Sequence, residues 1–250
     1  LEETADALAQ AVHHGKALYA GVSSYSAKKT IIMNKLLKDR GVRCLIHQPS
    51  YSMINRWVEK DLLLTLKKLG IGCIAFSPLA QGMLSEKYLK NIPRNSRAYE
   101  NSSLDRRMLT RSYINKITNL SKMAKKRGQS ISQMALAWVL RHNNMTSALI
   151  GARTVKQLDE CLDSLKNLKF TKSELKQIDK YAKEEKINFP KSILTDSEKE
   201  IYEQTYSIEL KKRKIKYAVG SLVVTGVVAS LIILSAFSSG LRSSSRSGLG

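Results

Sequence analysis

Short apolar runs alternate with longer amphipathic stretches along most of the chain. Four of the runs have the composition of buried β-strands, and a stretch with apolar residues at helical spacing follows each of them. The predicted strands are residues 17–22, 44–46, 71–76 and 147–150. Strands that alternate with helices indicate βαβ units, so the pattern predicts an α/β fold with a parallel sheet buried on both faces.

The intervening stretches predict the helices and their apolar sides. The first helix begins at the start of the chain and ends near Gly15, a residue type that favours helix termination. In the second helix, Ile31, Ile32, Leu36 and Leu37 lie on the apolar side. Further helices are predicted at about 61–68, at 130–141, from Val155 onwards, and after a Thr-x-x-Glu capping signal at 171–174.

Polar or special residues follow each predicted strand directly. These residues are Ser23, Gln48, Ser77 and Gly151. The carboxyl ends of parallel strands meet at one edge of a sheet, and α/β barrels and open sheets bind their ligands there. The pattern therefore predicts a ligand site at this edge and leaves the class of the ligand open.

Charge and cysteine content narrow the functional classes. The net charge is +21, but the lysines are spread over nearly every predicted helix, so we expect solvated helix faces and no nucleic-acid partner. Cys44, Cys73 and Cys161 are scattered and match neither a disulfide framework nor a zinc spacing. These residues indicate a reducing compartment and no metal site.

The four strand ends carry motifs that resemble those of the aldo-keto reductase family. Within that family the resemblance points to the branch of the bacterial glyceraldehyde 3-phosphate reductases and the potassium-channel β-subunits. It covers residues 1–187. The motifs are Gly21-Val22-Ser23-Ser24, His47-Gln48-Pro49-Ser50-Tyr51, Ala75-Phe76-Ser77-Pro78-Leu79-Ala80-Gln81-Gly82, and Ile150-Gly151-Ala152-Arg153 with Gln157 and Glu160.

The resemblance implies the second half of a parallel (β/α) barrel of TIM type, with four βα units. A complete barrel of this type needs roughly 250 residues, more than the 187 that the resemblance covers. Four parallel strands cannot close a barrel alone, because the first and last expose their hydrogen-bonding edges. Three explanations stay open: the chain is a fragment, a second chain supplies the other half, or two copies close on each other.

The resemblance also implies NADP as cofactor and assigns residues to its nicotinamide end. Ser23, Ser24 and Gln48 would bind the nicotinamide carboxamide, and Phe76 would stack on the nicotinamide ring. The pyrophosphate would lie along backbone amides and a hydroxyl of Ser77, Pro78, Leu79, Ala80 and Gln81. A plain turn at 77–81 and a core role for Phe76 are the structural alternatives.

At the other end of the cofactor, the resemblance assigns cations and one carboxylate. Lys87 and Arg97 would clamp phosphates, although both also fit ordinary surface cations. Arg153 and Gln157 would face the adenosine 2′-phosphate, and Glu160 would bind the adenine amine. Two departures are expected to weaken affinity: Cys161 replaces the usual Asn, and Glu86 replaces the usual Gly before the clamp lysine.

No catalytic residue can be assigned. The family's Asp, Tyr, Lys and His set lies ahead of the region that the start of this chain matches, and Tyr25 and Tyr51 do not match the motif of the family acid. We therefore expect the NADP-binding half of an oxidoreductase that, when completed, reduces aldehydes or ketones. The alternatives are a non-catalytic NADP-binding or membrane-partner subunit, or a truncated or split gene product.

The end of the chain predicts a membrane anchor. Residues 188–214 form a charged linker, 215–238 a transmembrane helix around the uncharged run 217–237, and 239–250 a Ser-rich tail. The cations before the run exceed those after it, so the positive-inside rule places the globular part in the cytoplasm. A buried core helix or an out-of-frame extension would also explain the apolar run.

Overall fold

The computed structural model describes residues 1–94, 96–99 and 104–182. The predicted linker, transmembrane helix and Ser-rich tail, which together span 188–250, lie outside the described residues. None of the described helices is long and apolar enough to cross a membrane. The helices and strands are α1 (Glu2–His13), β1 (Ala20–Ser23), α2 (Ala27–Asp39), β2 (Cys44–Gln48), α3 (Leu62–Leu69), β3 (Gly72–Ala75), α4 (Arg111–Lys126), α5 (Ile131–Leu140), β4 (Met145–Ala148), α6 (Val155–Asp163) and α7 (Lys172–Ala182).

The strands follow one another in the order β1-β2-β3-β4. The pairs β1–β2 and β2–β3 are parallel. Just past β4, the Leu149 amide donates to the carbonyl of Ala75 at the end of β3, at 2.8 Å. Spatial order equals chain order, as expected for successive βα units. The predicted α/β fold with a parallel sheet is confirmed.

The described residues divide into two compact units. The first contains 1–49 and 61–74, and the second contains 50–60 and 75–182. In the first unit, the apolar faces of α1, α2 and α3 supply buried Leu8, Met33, Leu37 and Leu66. Arg40, which follows α2, binds Glu2 and Asp6 of α1 at 2.9 and 2.6 Å and ties these two helices together at the surface.

The apolar side predicted for α2 is wrong in part. Ile31 and Ile32 are 50% and 40% exposed, whereas Thr30, Met33 and Leu37 are buried. The buried residues recur at spacings of three and four, which defines the packed face of a helix. Thr30 tolerates this burial because its hydroxyl donates to the Ser26 carbonyl at 2.9 Å.

In the second unit, α5 is almost entirely buried. Every residue from Met134 to Val139 lies in the core. The helix begins with a capping box in which the Ser130 hydroxyl and the Gln133 side chain each bind the other residue's backbone amide. The predicted capping signal at 171–174 is also confirmed, since Thr171 and Glu174 make the same reciprocal contacts at 2.6 and 3.2 Å.

Three predicted strands begin at other positions, one of them, β3, at Gly72 rather than at 71. β1 begins at Ala20 rather than at 17, and β4 covers Met145–Ala148 rather than 147–150. Leu18 and Tyr19, the apolar residues before β1, are 66% and 57% exposed. The first strand was predicted from residue 17 because these residues are apolar, but they do not pair with a neighbouring strand.

Candidate cofactor-binding site

At the strand ends of the first unit, the structure brings together three predicted site residues. Ser23 and Gln48 are paired across β1 and β2, and the Ser23 hydroxyl donates to the Gln48 carbonyl at 2.7 Å. The Ser24 amide donates to the same carbonyl at 3.1 Å. Ser23 and Gln48 are buried, and Ser24 is exposed with a left-handed φ of +57°. One carbonyl thus fixes the relative position of all three residues.

Gly21 makes this pairing possible. A Cβ atom at this position would lie 2.6 Å from Ile46 Cγ2 and 2.7 Å from the Ile46 carbonyl oxygen. Cβ atoms in proteins essentially never approach other atoms this closely. The register between the two strands also shifts between Ala20 and Gly21. The close approach places Ser23 opposite Gln48, which a side chain at position 21 would prevent.

His47 makes a further contact at the same edge of the sheet. Its Nε2 atom lies 3.1 Å from the carbonyl oxygen of Tyr25, so the ring connects β2 to the loop after β1. Burial lowers the pKa of His47 to about 4, although the Tyr25 carbonyl acts in the opposite direction. The ring is therefore neutral near neutral pH and donates its Nε2 hydrogen to Tyr25.

In the second unit, the predicted pyrophosphate segment has an unusual backbone. Ser77, Ala80 and Gln81 have φ values of +52°, +47° and +58°, which non-glycine residues rarely adopt. Among the described residues, Ser24 is the only other non-glycine residue with positive φ. The Gln81 carboxamide oxygen is buried and has no hydrogen-bond partner among the described residues. Pro78 and Ala80 are buried, while Leu79 is half-buried.

Phe76 lies directly before this segment and is half-buried. It pairs with Ser50 in a parallel bridge, and its carbonyl accepts a hydrogen bond from the Tyr51 amide at 3.2 Å. Backbone contacts with residues 50 and 51 therefore hold the main chain of Phe76 in place.

The predicted cations of the second unit are exposed. Lys87 lies in a 3₁₀ turn capped by Ser85, and its ammonium lies 5.7 Å from the centre of the Tyr88 ring. Arg97 is also exposed. Arg153 and Gln157 are joined, because the Arg153 amide donates to the Gln157 side-chain oxygen at 2.8 Å. This contact links the residue before Thr154, the N-cap, to the first turn of α6.

Glu160 takes a position that the sequence did not predict. Its carboxylate accepts a hydrogen bond from the Ser130 hydroxyl at 2.9 Å, which connects α6 to the N-cap of α5. Glu160 is exposed, so this contact leaves the rest of the carboxylate accessible to solvent. Its neighbour Cys161 is a half-buried free thiol whose pKa is raised by burial and by the Glu160 charge.

Sequence reasoning missed a cluster of partly buried polar side chains around the Tyr51 hydroxyl. We call Tyr51, Glu59, Arg141 and His142 the Tyr51 cluster. The hydroxyl donates to Glu59 at 2.6 Å, accepts from Arg141 at 3.1 Å and lies 3.1 Å from His142 Nε2. Burial alone would raise the pKa of Glu59, but hydrogen bonds from His142 and Tyr51 and the charge of Arg56 hold it at about 2.

Comparison with known proteins gives consistent results over the described region. The sequence model of the aldo/keto reductase family matches residues 1–183. The chain is similar to the L-glyceraldehyde 3-phosphate reductase of Escherichia coli, with 49% identity over 193 residues, or 75% of this chain and 56% of the relative.

More distant relatives carry a different name. A probable voltage-gated potassium channel subunit beta of Oryza sativa subsp. japonica is 35% identical over 66% of this chain and 52% of the relative. A putative subunit of the same kind from Schizosaccharomyces pombe is 32% identical over 72% of this chain and 54% of the relative. The chain spans about half the length of the curated relatives it matches.

Proposed function

The chain belongs to the aldo/keto reductase family, and from that premise we propose that it is the NADP-binding half of an oxidoreductase that reduces aldehydes or ketones. The observation that carries this proposal is the left-handed backbone at Ser77, Ala80 and Gln81. Such conformations cost about 1–3 kcal/mol each and concentrate at ligand-binding sites. Pro78 has no amide hydrogen and the Ala80 amide donates to the Ser77 carbonyl at 2.8 Å, so the amides that this backbone can offer to a pyrophosphate are those of Ser77, Leu79 and Gln81.

The residues present fit the cofactor at both of its ends. At the nicotinamide end, Ser23, Ser24 and Gln48 supply hydroxyl and amide groups for a carboxamide, and Phe76 supplies a flat ring. The buried oxygen of Gln81 has no hydrogen-bond partner among the described residues, which supports a ligand that brings a donor to this point. These side chains therefore offer donors and acceptors of the types that the carboxamide of a nicotinamide nucleotide requires.

At the phosphate and adenosine end, exposed cations supply the charge. Lys87 and Arg97 would bind phosphates, and Arg153 with Gln157 would bind a 2′-phosphate. This assignment favours NADP over NAD, because NAD has a hydroxyl in place of that phosphate. Glu160 would accept from the adenine amine with the part of its carboxylate that Ser130 does not occupy.

When bound, NADPH would supply a hydride to the carbonyl carbon of the substrate. The carbonyl oxygen also needs a proton from a positioned acid. Tyr51 is 0% exposed and its hydroxyl is held by Glu59 and Arg141, so it cannot reach a substrate. We propose that this chain supplies the cofactor site and not the acid, and that alone it reduces aldehydes about 10²–10⁴-fold more slowly than a complete site.

We further propose that four more βα units complete the barrel, from residues that precede this stretch in a longer chain, from another chain or from a second copy of this one. The support is an apolar stripe on α6 in which Val155, Leu158 and Leu162 are 75%, 42% and 51% exposed. Helices of α/β barrels normally bury such a stripe. Light scattering of the purified chain would separate a monomer from a self-paired dimer.

Calorimetric titration of the 250-residue chain with NADPH and NADH tests the central proposal. We expect NADPH to bind at least about tenfold more tightly, because Arg153 adds a charge-assisted contact with the 2′-phosphate. Arg153→Ala should remove that preference, whereas Arg106→Ala, a change at an exposed arginine outside the site, should retain it. Absence of binding by a chain whose circular dichroism shows it to be folded would refute the proposal.

A second candidate is a non-catalytic NADP-binding subunit that assembles with a membrane protein. Its support is the similarity to proteins named as potassium channel β-subunits, together with the apolar run at 217–237. In this form the globular part is cytoplasmic and the run anchors it. Carbonate extraction of membranes, followed by protease protection of the tail, tests the anchor. A chain released by carbonate would contradict it.

A further inference from the structure

The backbone of Tyr51 is tied directly to Phe76. The Tyr51 amide donates to the Phe76 carbonyl at 3.2 Å, and Ser50 pairs with Phe76 in a parallel bridge. The orientation of the peptide at Phe76 therefore depends on residues 50 and 51. Since the Cα–Cβ direction follows the backbone, the same contacts set the direction in which the Phe76 side chain leaves the backbone.

The side chain of Tyr51 is fixed separately, by the Tyr51 cluster. Glu59 belongs to the same 50–60 segment as Tyr51, and Arg141 follows α5. Arg141 contacts the Tyr51 hydroxyl at 3.1 Å, Glu59 at 3.1 Å and the carbonyl of Trp138 at 2.6 Å. The cluster therefore connects the segment that holds Phe76 to the end of the most buried helix of the second unit.

Aromatic contacts fix the plane of the Tyr51 ring. The centres of the Tyr51 and Trp138 rings are 5.3 Å apart, within the range of favourable aromatic pairs. The guanidinium groups of Arg141 and Arg56 lie 3.5 and 4.4 Å from the Trp138 ring centre. Arg56 is anchored in turn by Asp179 of α7 at 2.6 Å.

These contacts exclude a direct catalytic role for Tyr51 and point to an indirect one. The hydroxyl is buried, donates to Glu59 and accepts from Arg141. We propose that Tyr51 is a positioning residue for Phe76, which it holds through its backbone amide so that the ring presents a fixed plane to a nicotinamide. This inference rests on the proposed function, in which Phe76 stacks on that ring.

The test compares two ligands on the full chain with Tyr51→Phe. NADPH contains the nicotinamide, whereas adenosine 2′,5′-bisphosphate contains only the adenosine end. We expect Tyr51→Phe to weaken NADPH about tenfold and the bisphosphate less than about twofold, because only the first ligand uses the Phe76 ring. A merely structural role would weaken both ligands alike, and that result would overturn the inference.

Two further variants sharpen this comparison. In the background of Phe76→Ala, the change Tyr51→Phe should have no additional effect on NADPH, because residues that act through one contact are not additive. Arg127→Lys disturbs another buried arginine of the same unit and serves as the control for general destabilisation. It should lower the melting temperature and leave the ratio of the two affinities unchanged.

A measurement without cofactor keeps the inference separate from the proposed function. The sequence has four phenylalanines, so labelling with fluorophenylalanine gives few fluorine signals, and Phe76→Leu identifies that of Phe76. The Phe76 signal should shift or broaden in Glu59→Gln and not in Arg127→Lys. An unchanged signal in Glu59→Gln would overturn the inference. A chain that binds neither ligand would refute the proposed function, while the fluorine result would still decide the role of Tyr51.

Discussion

The carboxylate of Glu86 accepts a hydrogen bond from the Ser121 hydroxyl at 2.7 Å. It also lies 3.6 Å from the ammonium of Lys125, on the same helix α4 as Ser121. The hydrogen bond from Ser121 is the main reason why the pKa of Glu86 lies below its usual value. Glu86 stands where the family resemblance expects glycine, next to Lys87, and two side chains of α4 already contact its carboxylate.

Glu86→Gly should tighten NADPH binding by less than about threefold. The Glu86 charge is exposed and already faces Lys125, and exposed charges interact weakly through water. Calorimetry at low and moderate ionic strength measures the change. Glu86→Gln separates the charge from the loss of the side chain. An improvement greater than about tenfold, which salt removes, would mean that the carboxylate repels the phosphates after all.

Gln81→Gly should stabilise the protein and weaken its cofactor binding. Glycine adopts the φ of +58° without steric cost, and the change removes a buried oxygen that has no partner among the described residues. We expect a gain of about 1–2 kcal/mol in the free energy of unfolding. The NADPH affinity should fall about fivefold or more, because the segment loses its pre-set conformation.

Thermal melts with and without NADPH measure both effects of Gln81→Gly in one experiment. Gln81→Asn is the control, since asparagine tolerates the left-handed region and keeps a carboxamide. A stabilised Gln81→Gly variant with unchanged NADPH affinity would show that the conformation does not serve the cofactor.

The strand ends were predictable from the sequence because their information is local. Ser23 and Gln48 each follow an apolar run, and the parallel pairing of β1 and β2 then aligns them. The buried face of α2 was harder to predict from the sequence, because hydrophobicity favoured Ile31 and Ile32 over Thr30. Only the structure shows that Ser26 satisfies the Thr30 hydroxyl and allows its burial.

The Tyr51 cluster was beyond the reach of the sequence for a different reason. Tyr51 and Arg141 are 90 positions apart, so no local pattern links them. The contact between Glu160 and Ser130 likewise joins two helices across 30 positions. Tertiary packing determines both, whereas motif and periodicity describe neighbours along the chain.

His47 should make the stability of the protein depend on pH below neutrality. Burial lowers its folded-state pKa to about 4 from an ordinary value of 6.5. Because the unfolded chain takes up this proton first, the contribution is complete above about pH 6.5 and is lost as the pH falls towards 4. Each unit of the pKa difference corresponds to about 1.4 kcal/mol.

Urea unfolding at several pH values between about 4 and 7 measures this dependence. His47→Gln removes the titrating ring and should flatten the curve in that range. His13→Gln changes an exposed histidine and should leave the slope as it is. Equal slopes for the wild-type and His47→Gln chains would contradict the assignment.

Arg127→Ala should be among the most destabilising single changes in the second unit. The Arg127 side chain is 5% exposed, binds Glu174 at 2.6 Å and stacks 3.8 Å from the centre of the Phe170 ring. Glu174 is 25% exposed and keeps part of its hydration, so the loss should be about 2–3 kcal/mol, below the roughly 3–5 kcal/mol of a fully buried pair.

Arg107→Ala is the matched control for Arg127→Ala. Arg107 binds Asp105 at 2.7 Å, but its side chain is 92% exposed, so its loss should change the free energy of unfolding far less than the loss of Arg127. Chemical denaturation of the two variants compares them directly. Similar midpoints would show that burial does not decide the value of these ion pairs.

Every residue from Gly151 to Glu160 is exposed, whereas Ser23 and Gln48 are buried. Under the proposed function, a dinucleotide meets the groups for its adenosine end directly from bulk solvent. At its nicotinamide end, Ser24 is also exposed, whereas the buried side chains of Ser23 and Gln48 are contacted last. Capture and seating are then separate kinetic events. The association rate should depend on ionic strength, because the charges of the adenosine end act at a distance. The contacts at the nicotinamide end should determine the dissociation rate.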